Sequence, residues 1–154
     1  MTGLRYLLDT DILIYMLRGL KDSVKSPVHR QAARRIRKRI QTHLDQGIPV
    51  CLSMVSACEL EYGASRAPDP EKERRAMVKI LAPFEMLEAD PVFVPRHYGE
   101  IRAQLERDGC PIGAMDLMIA AHARAVNATL ITNNVGEFKR VHGLRVENWA
   151  DERP

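Results

Sequence analysis

Aromatic residues make up only 5% of the chain, and cysteine occurs three times, at Cys51, Cys58 and Cys110. The aromatics Tyr15, Tyr62, Tyr98 and Trp149 do not interleave with any basic run, so base recognition by stacking is not indicated. Three thiols cannot form a closed disulfide set, and their spacing matches no zinc pattern. They read as free thiols of a reducing compartment. The five histidines include no pair at metal-ligand spacing and read as surface or packing residues. Apolar runs extend over a handful of residues, far short of the roughly 20 that span a bilayer. Met1-Thr2-Gly3-Leu4-Arg5 leads straight into a strand-like segment and leaves no room for a signal peptide, so a cytoplasmic chain without membrane association is expected. A phosphate-cradling Gly-rich loop is missing as well, which argues against P-loop nucleotide hydrolysis. Repeats, low-complexity tracts and long linkers are also absent.

What the chain does contain suits an ordinary globular domain. Its 154 residues are 45% hydrophobic and 28% charged, and residues 1–154 are read as one domain able to bury its own core. The charge is unevenly placed. Residues 18–45 carry nine basic side chains against two acidic ones, a surplus of +7 that leaves −4 for the remainder. A mildly acidic body with one strongly basic segment points to a polyanion partner, most simply nucleic acid. Within that segment Val28, Ala32, Ile36, Ile40 and Leu44 recur every four residues as one apolar helical stripe. Arg34, Arg35, Lys38 and Arg39 spread over the remaining surface as candidate phosphate contacts; the alternative is a solvated helix face.

Tyr6-Leu7-Leu8, Pro49-Val50-Cys51-Leu52, Thr129-Leu130-Ile131-Thr132 and Arg145-Val146-Glu147 read as strands, with Met86-Leu87 a short edge strand. Helices are expected over Ile12 to Leu17 with Asp11 as cap, Val28 to Leu44, Ser56 to Gly63, Glu71 to Leu81, Arg96 to Arg107, Met115 to Val126 and a turn at Glu137 to Val141. Short apolar strands alternating with helices indicate an α/β fold whose parallel sheet is covered on both faces. Ligands of such sheets bind beyond the carboxyl ends of the strands, so the polar residues there carry the question of function.

Four places qualify. Asp9 ends the first strand, Glu59 follows the second, Asp116 opens a helix after Pro111-Ile112-Gly113, and Asn133, Asn134 and Glu137 follow the Thr129 strand. If these ends converge, Asp9, Glu59 and Asp116 form a three-carboxylate pocket whose charges repel unless a cation shares them. Hard oxygen donors without histidine select Mg²⁺ or Mn²⁺ rather than zinc. Such an ion lowers the pKa of a bound water and neutralises charge on a phosphodiester under in-line attack. Helix capping is the competing account. Ser56-x-x-Glu59 also reads as a capping box, Asp116 suits the first turn of a helix, and Asn134-x-x-Glu137 is a capping pattern. Asp9 is harder to place this way, because an acid directly after Leu7-Leu8 is costly to bury without a partner.

The words around the acids carry further information. Leu7-Leu8-Asp9-Thr10-Asp11, Ala57-Cys58-Glu59-Leu60-Glu61-Tyr62-Gly63-Ala64, Pro111-Ile112-Gly113-Ala114-Met115-Asp116-Leu117-Met118-Ile119-Ala120, Leu130-Ile131-Thr132-Asn133-Asn134-Val135-Gly136-Glu137-Phe138 and Gly143-Leu144-Arg145-Val146-Glu147-Asn148-Trp149 occur in this order. Together they resemble the PIN-domain family, in particular the VapC toxin branch of type II toxin–antitoxin modules. The resemblance covers nearly the whole chain. It implies a three-layer α/β/α sandwich and a Mg²⁺- or Mn²⁺-dependent endoribonuclease. It also implies a homodimer, and a small antitoxin whose tail occludes the acidic pocket. By position, Asp9, Glu59 and Asp116 match the family's acidic metal-binding residues. Thr10, Asp11, Thr132, Asn134 and Glu137 are expected to orient them. Two departures stand out. Asn134 occupies the place of a fourth aspartate, so Glu137 either substitutes for it or merely caps. The basic segment also looks longer and richer in arginine than the family's usual connection, and its surplus favours RNA phosphates as its partner.

Two other classes compete. Leu7-Leu8-Asp9-Thr10-Asp11 also fits the first motif of haloacid-dehalogenase-like phosphotransferases, with Asp9 as nucleophile and Asp11 as acid/base. The lysine and the Gly-Asp pair that such an enzyme needs are not apparent. A non-catalytic RNA-binding module with vestigial acids is the third possibility.

Overall fold

Tyr6, Leu7 and Leu8 are all buried, and a strand whose every side chain is apolar can be covered on both faces. In the computed structural model, which describes residues 3–19 and 26–151, this segment is the central strand β1 (Tyr6–Leu8) of a sheet. It is flanked by β2 (Val50–Ser53) and β4 (Thr129–Ile131), with β3 (Glu85–Leu87) and β5 (Arg145–Glu147) at the edges. All pairs are parallel. Tyr6, Leu7 and Leu8 align with Val50, Cys51 and Leu52 on one side and with Thr129, Leu130 and Ile131 on the other.

Strand alternation sends Leu7, Cys51 and Leu130 to one face, against Ile101 and Leu105 of α5 (Phe93–Arg107) and Ile119, Ala120 and Ala123 of α6 (Ala114–Ala125). Tyr6, Leu8, Val50, Leu52 and Ile131 face the opposite layer. That layer is formed by α1 (Thr10–Gly19), α2 (Pro27–Asp45), α3 (Met54–Ser65) and α4 (Pro70–Leu81). A short α7 (Val135–Phe138) buries Phe138 in the first layer. The architecture is the three-layer α/β/α sandwich expected from the sequence. Among the described residues, no helix is long and apolar enough to cross a membrane.

The chain runs outward from β1 to β2 and β3, then crosses back to β4 on the other side of β1. The strand order therefore reverses between β1 and β4, the place where parallel sheets open a binding crevice. Asp9 and Thr132 directly follow these two strands, and the Asp9 amide donates to the Ile131 carbonyl at 2.9 Å.

Several boundaries differ from the sequence reading, each for a local reason. Helix α1 begins at Thr10 rather than Ile12, because the Asp9 carboxylate accepts the Thr10 amide at 2.7 Å. Asp11 is thus inside the helix and not its cap. Helix α3 begins at Met54. Its cap is Ser53, whose hydroxyl accepts the Val55 amide at 3.2 Å, so Ser56 sits within the helix and the Ser56–Glu59 capping box does not exist. Helix α5 starts at Phe93, since the Asp90 carboxylate holds the Val92 and Phe93 amides at 2.8 and 2.7 Å.

The basic helix is present as α2, with Ala32, Ala33, Ile36 and Ile40 buried; Val28, at the start of the expected stripe, is 71% exposed. Gly19 explains how closely α1 approaches it, because a Cβ there would lie 2.9 Å from the Ala33 Cβ. The flanking arginines reach backbone. Arg35 Nε donates to the Ala150 carbonyl at 2.6 Å, Arg37 to Met16 at 3.3 Å, and Arg39 to Asn148 and Asp151 at 3.4 Å each. Arg34 and Lys38 are exposed. Lys21, Asp22 and Lys25 of the basic segment lie outside the described residues.

Candidate active site

Asp9 is 4% exposed, and both of its carboxylate oxygens are held. Its Oδ1 accepts the Thr10 amide at 2.7 Å and its Oδ2 accepts the Thr132 hydroxyl at 2.8 Å. The Thr132 oxygen in turn accepts the Asn134 amide at 2.9 Å, so β1 and the turn after β4 are tied at the strand ends. Asp11 reinforces the same junction: its Oδ2 accepts the Asn133 amide at 3.0 Å and lies 3.3 Å from the Thr132 hydroxyl. Its Oδ1 is buried and has no hydrogen-bond partner.

Glu59 reaches the crevice from α3. Thr10 Oγ1 lies 2.7 Å from Glu59 Oε1 and 2.9 Å from Ser56 Oγ, which is fully buried. One hydroxyl proton serves one acceptor, and a carboxylate can only accept. Thr10 therefore donates to Glu59 and accepts from Ser56. Ser56 was missed as a site residue because its spacing to Glu59 imitates a capping box. Three residues apart on a helix, the two share a face, and that is the signal that finds them.

Asp116 is half-buried at the start of α6, in a first turn that Gly113 opens without a side-chain cap. Burial, followed by the negative charges of Asp9, Glu137 and Glu59, pushes its carboxyl up to about 6. Burial and Asp11 push Asp9 up to about 7, and burial likewise raises Asp11. Asn134 Nδ2 donates to Glu137 Oε2 at 2.9 Å, which is a side-chain pair and not a helix cap. Asp9, Glu59 and Glu137 thus lie close enough to Asp116 for their charges to act on it. They do not form a closed ligand shell: among the described residues, no three acid, histidine or cysteine side chains are grouped to hold an ion.

The donor chemistry nevertheless fits a hard divalent cation. All candidate donors are oxygens, the charges acting on Asp116 are negative, and a buried carboxylate oxygen of Asp11 lacks a partner.

Comparison with known proteins decides the family. Residues 6–144 match the PIN domain. The chain belongs to the PIN-domain family. This PIN domain is 35% identical over 147 residues to the tRNA(fMet)-specific endonuclease VapC of Shigella flexneri, across 96% of this chain and 99% of that protein. Among solved structures, it superposes with a TM-score of 0.81 on a chain of VapBC2 from Rickettsia felis bound to a DNA fragment from their promoter. Identity there is 32%, across 95% of this chain and 99% of the other. DNA-bound VapBC from Salmonella typhimurium gives a TM-score of 0.80 at 31% identity, across 96% and 99% of the two chains.

Proposed function

We propose that this chain is a metal-dependent endoribonuclease of the VapC type, the toxin of a toxin–antitoxin pair. The observation that carries the reading is the convergence of Asp9, Glu59, Asp116 and Glu137 at the β1/β4 crevice of a PIN fold similar to VapC proteins along nearly its whole length. Asp9, Glu59 and Asp116 would hold Mg²⁺ or Mn²⁺, which when bound neutralises charge on the scissile phosphate and lowers the pKa of the attacking water.

The chain's own residues do the rest. Thr132 and the Thr10 amide fix the Asp9 carboxylate, and the Ser56–Thr10 pair aims Glu59. Asp11 locks the turn that carries Asn134, whose amide orients Glu137. Asp11 serves here as a brace, tied to Thr132 and Asn133 at the β4–α7 turn, and not as a free acid/base. A homodimer and a small antitoxin covering the crevice complete the proposal; the similar structures are VapBC assemblies.

The test is direct: purified chain and total tRNA, with Mg²⁺, Mn²⁺ or EDTA. tRNA comes first because the Shigella relative is a tRNA endonuclease. Cleavage that requires a divalent ion supports the reading. Phosphate release from small phosphoesters with RNA intact would install a haloacid-dehalogenase-like phosphotransferase in its place. Metal-independent RNA binding without cleavage would leave a binding module.

Two further results are expected. Thr10→Val keeps the side-chain volume but removes the hydroxyl between Ser56 and Glu59. It should reduce cleavage about 10- to 100-fold, the usual scale for residues that orient metal-binding side chains. It should also lower stability by about 1–2 kcal/mol, through the buried Ser56 hydroxyl left without its acceptor, as read by urea denaturation. The second concerns α2. Arg35 and Arg39 hold backbone carbonyls near the carboxyl terminus, which leaves Arg34 and Lys38 as the exposed candidates for RNA phosphates. Arg34→Gln with Lys38→Gln should make the slope of log K against log salt shallower by about 1.4, at roughly 0.7 per single-strand phosphate contact. An unchanged slope would return α2 to a solvated face.

A further inference from the structure

Among the described residues His122 is the one fully buried histidine, 1% exposed in the last turn of α6. An apolar residue would fill such a place at less desolvation cost, so the ring's hydrogen bonds need an account. His122 Nδ1 lies 2.9 Å from Ser53 Oγ, and Nε2 lies 3.3 Å from the Glu88 carbonyl just beyond β3. The Glu88 carbonyl can only accept, so the neutral ring carries its proton on Nε2. The Ser53 hydroxyl, whose oxygen accepts the Val55 amide as the cap of α3, donates to Nδ1. Nδ1 is then the acceptor and Nε2–H the donor to Glu88. The neutral Nε2–H tautomer satisfies both ring nitrogens, the Ser53 hydroxyl and the Glu88 carbonyl. Burial lowers the basicity of the ring, in keeping with that form.

The placement of this contact gives it a consequence. Helix α6, which carries Asp116 in its first turn, packs on one face of the sheet, whereas Leu60 of α3 packs on the other. Only the first turn of α3 reaches across, where Val55 packs against the core cluster that contains α6. The His122–Ser53 bond joins them directly, at the residue that starts α3 and sets the position of Ser56 and Glu59 in its following turns. Glu88 extends the same tie to the end of β3.

We infer that His122 is a positioning residue: through Ser53 it fixes the start of α3 against α6 and so sets the separation of Glu59 from Asp116. The inference rests on the proposed reading of these two acids as metal-binding residues. It assigns His122 no contact with RNA.

The test uses the full chain and three substitutions. His122→Asn keeps an acceptor near the Nδ1 position, His122→Gln keeps a donor near the Nε2 position, and His122→Leu keeps neither. Mn²⁺ binding by titration calorimetry, RNA cleavage kinetics and melting temperature are read for each. His122→Leu and His122→Gln are expected to bind Mn²⁺ about tenfold more weakly and to lose about tenfold in kcat, with KM for RNA unchanged. His122→Asn should recover most of both. If His122→Leu fails to fold, the Asn and Gln variants still decide, since each retains one of the two hydrogen bonds. Equal impairment of Asn and Gln in step with melting temperature, or wild-type Mn²⁺ affinity in His122→Gln, would overturn the inference and leave His122 a core residue. A wild-type chain that neither binds Mn²⁺ nor cleaves RNA would instead remove the functional reading itself, and the inference with it.

Discussion

Asp9→Asn, measured in EDTA at neutral pH, is expected to melt higher than the wild-type chain while losing cleavage on the order of 10³-fold, the scale of removing a preorganised electrostatic group. Burial and the Asp11 charge push the Asp9 carboxyl up to about 7, against about 3.9 in an unfolded chain. Between those two values the folded state holds a proton that the unfolded state has released. Stability therefore falls as pH rises through this window, and the destabilisation is complete above pH 7. A gap of about three units corresponds to roughly 4 kcal/mol. At 2–4 °C per kcal/mol for a chain of this size, relief of even half of it raises Tm by about 5 °C. Asn keeps an acceptor for the Thr10 amide and removes the charge. Melting curves between pH 4 and 8 should slope downward for the wild type and be nearly level for the variant. Asp116, pushed up to about 6, keeps a residual slope in both. Parallel curves would show that Asp9 does not carry the strain.

The layers of this fold were legible because its signals are local. Three- and four-residue apolar strands, each wholly buried, left a readable trace, and so did the helices between them. The order β3-β2-β1-β4-β5 is not a local property, but the rule for ligands at strand ends needed only the ends themselves. Asp9, Glu59 and Asp116 could therefore be singled out as candidates near the strand ends from sequence alone.

Hydrogen-bond partners were less legible. Ser53 and Ser56 are both serines near the start of the same helix, and spacing alone favoured Ser56 as its cap. Strand β2 ends one residue later than its apolar run, at buried Ser53, and this moves the cap and frees Ser56 to meet Thr10. Asp11 misled in a similar way. Its position suits the cap of α1, yet it also reaches partners more than a hundred residues away at Thr132 and Asn133. In the basic helix, the positive surplus was evident from composition. The use of Arg35 and Arg39 to anchor Ala150, Asn148 and Asp151 was not, because it depends on where β5 returns the chain.

Asp116→Asn separates the role of this acid as a ligand from its role as a mere helix-start carboxylate. The wild-type chain should gain stability from Mn²⁺ by mass action, about 2.7 kcal/mol at a hundred times the dissociation constant. For a protein of this length that is a rise of about 5–10 °C in Tm. Without metal the variant should melt above the wild type, because it lacks a charge that Asp9, Glu59 and Glu137 all oppose. With Mn²⁺ at the same concentration it should gain less than half as much, since a neutral amide is a weaker ligand and the repulsion that a cation relieves is already reduced. Cleavage should fall on the order of 10³-fold, as for Asp9→Asn. A helix-start role gives the opposite pattern without metal: loss of a favourable carboxylate in the first turn of α6 lowers stability by about 0.3–1 kcal/mol and leaves the Mn²⁺ response intact. The sign of the change in EDTA, read together with the size of the Mn²⁺ shift, therefore distinguishes the two.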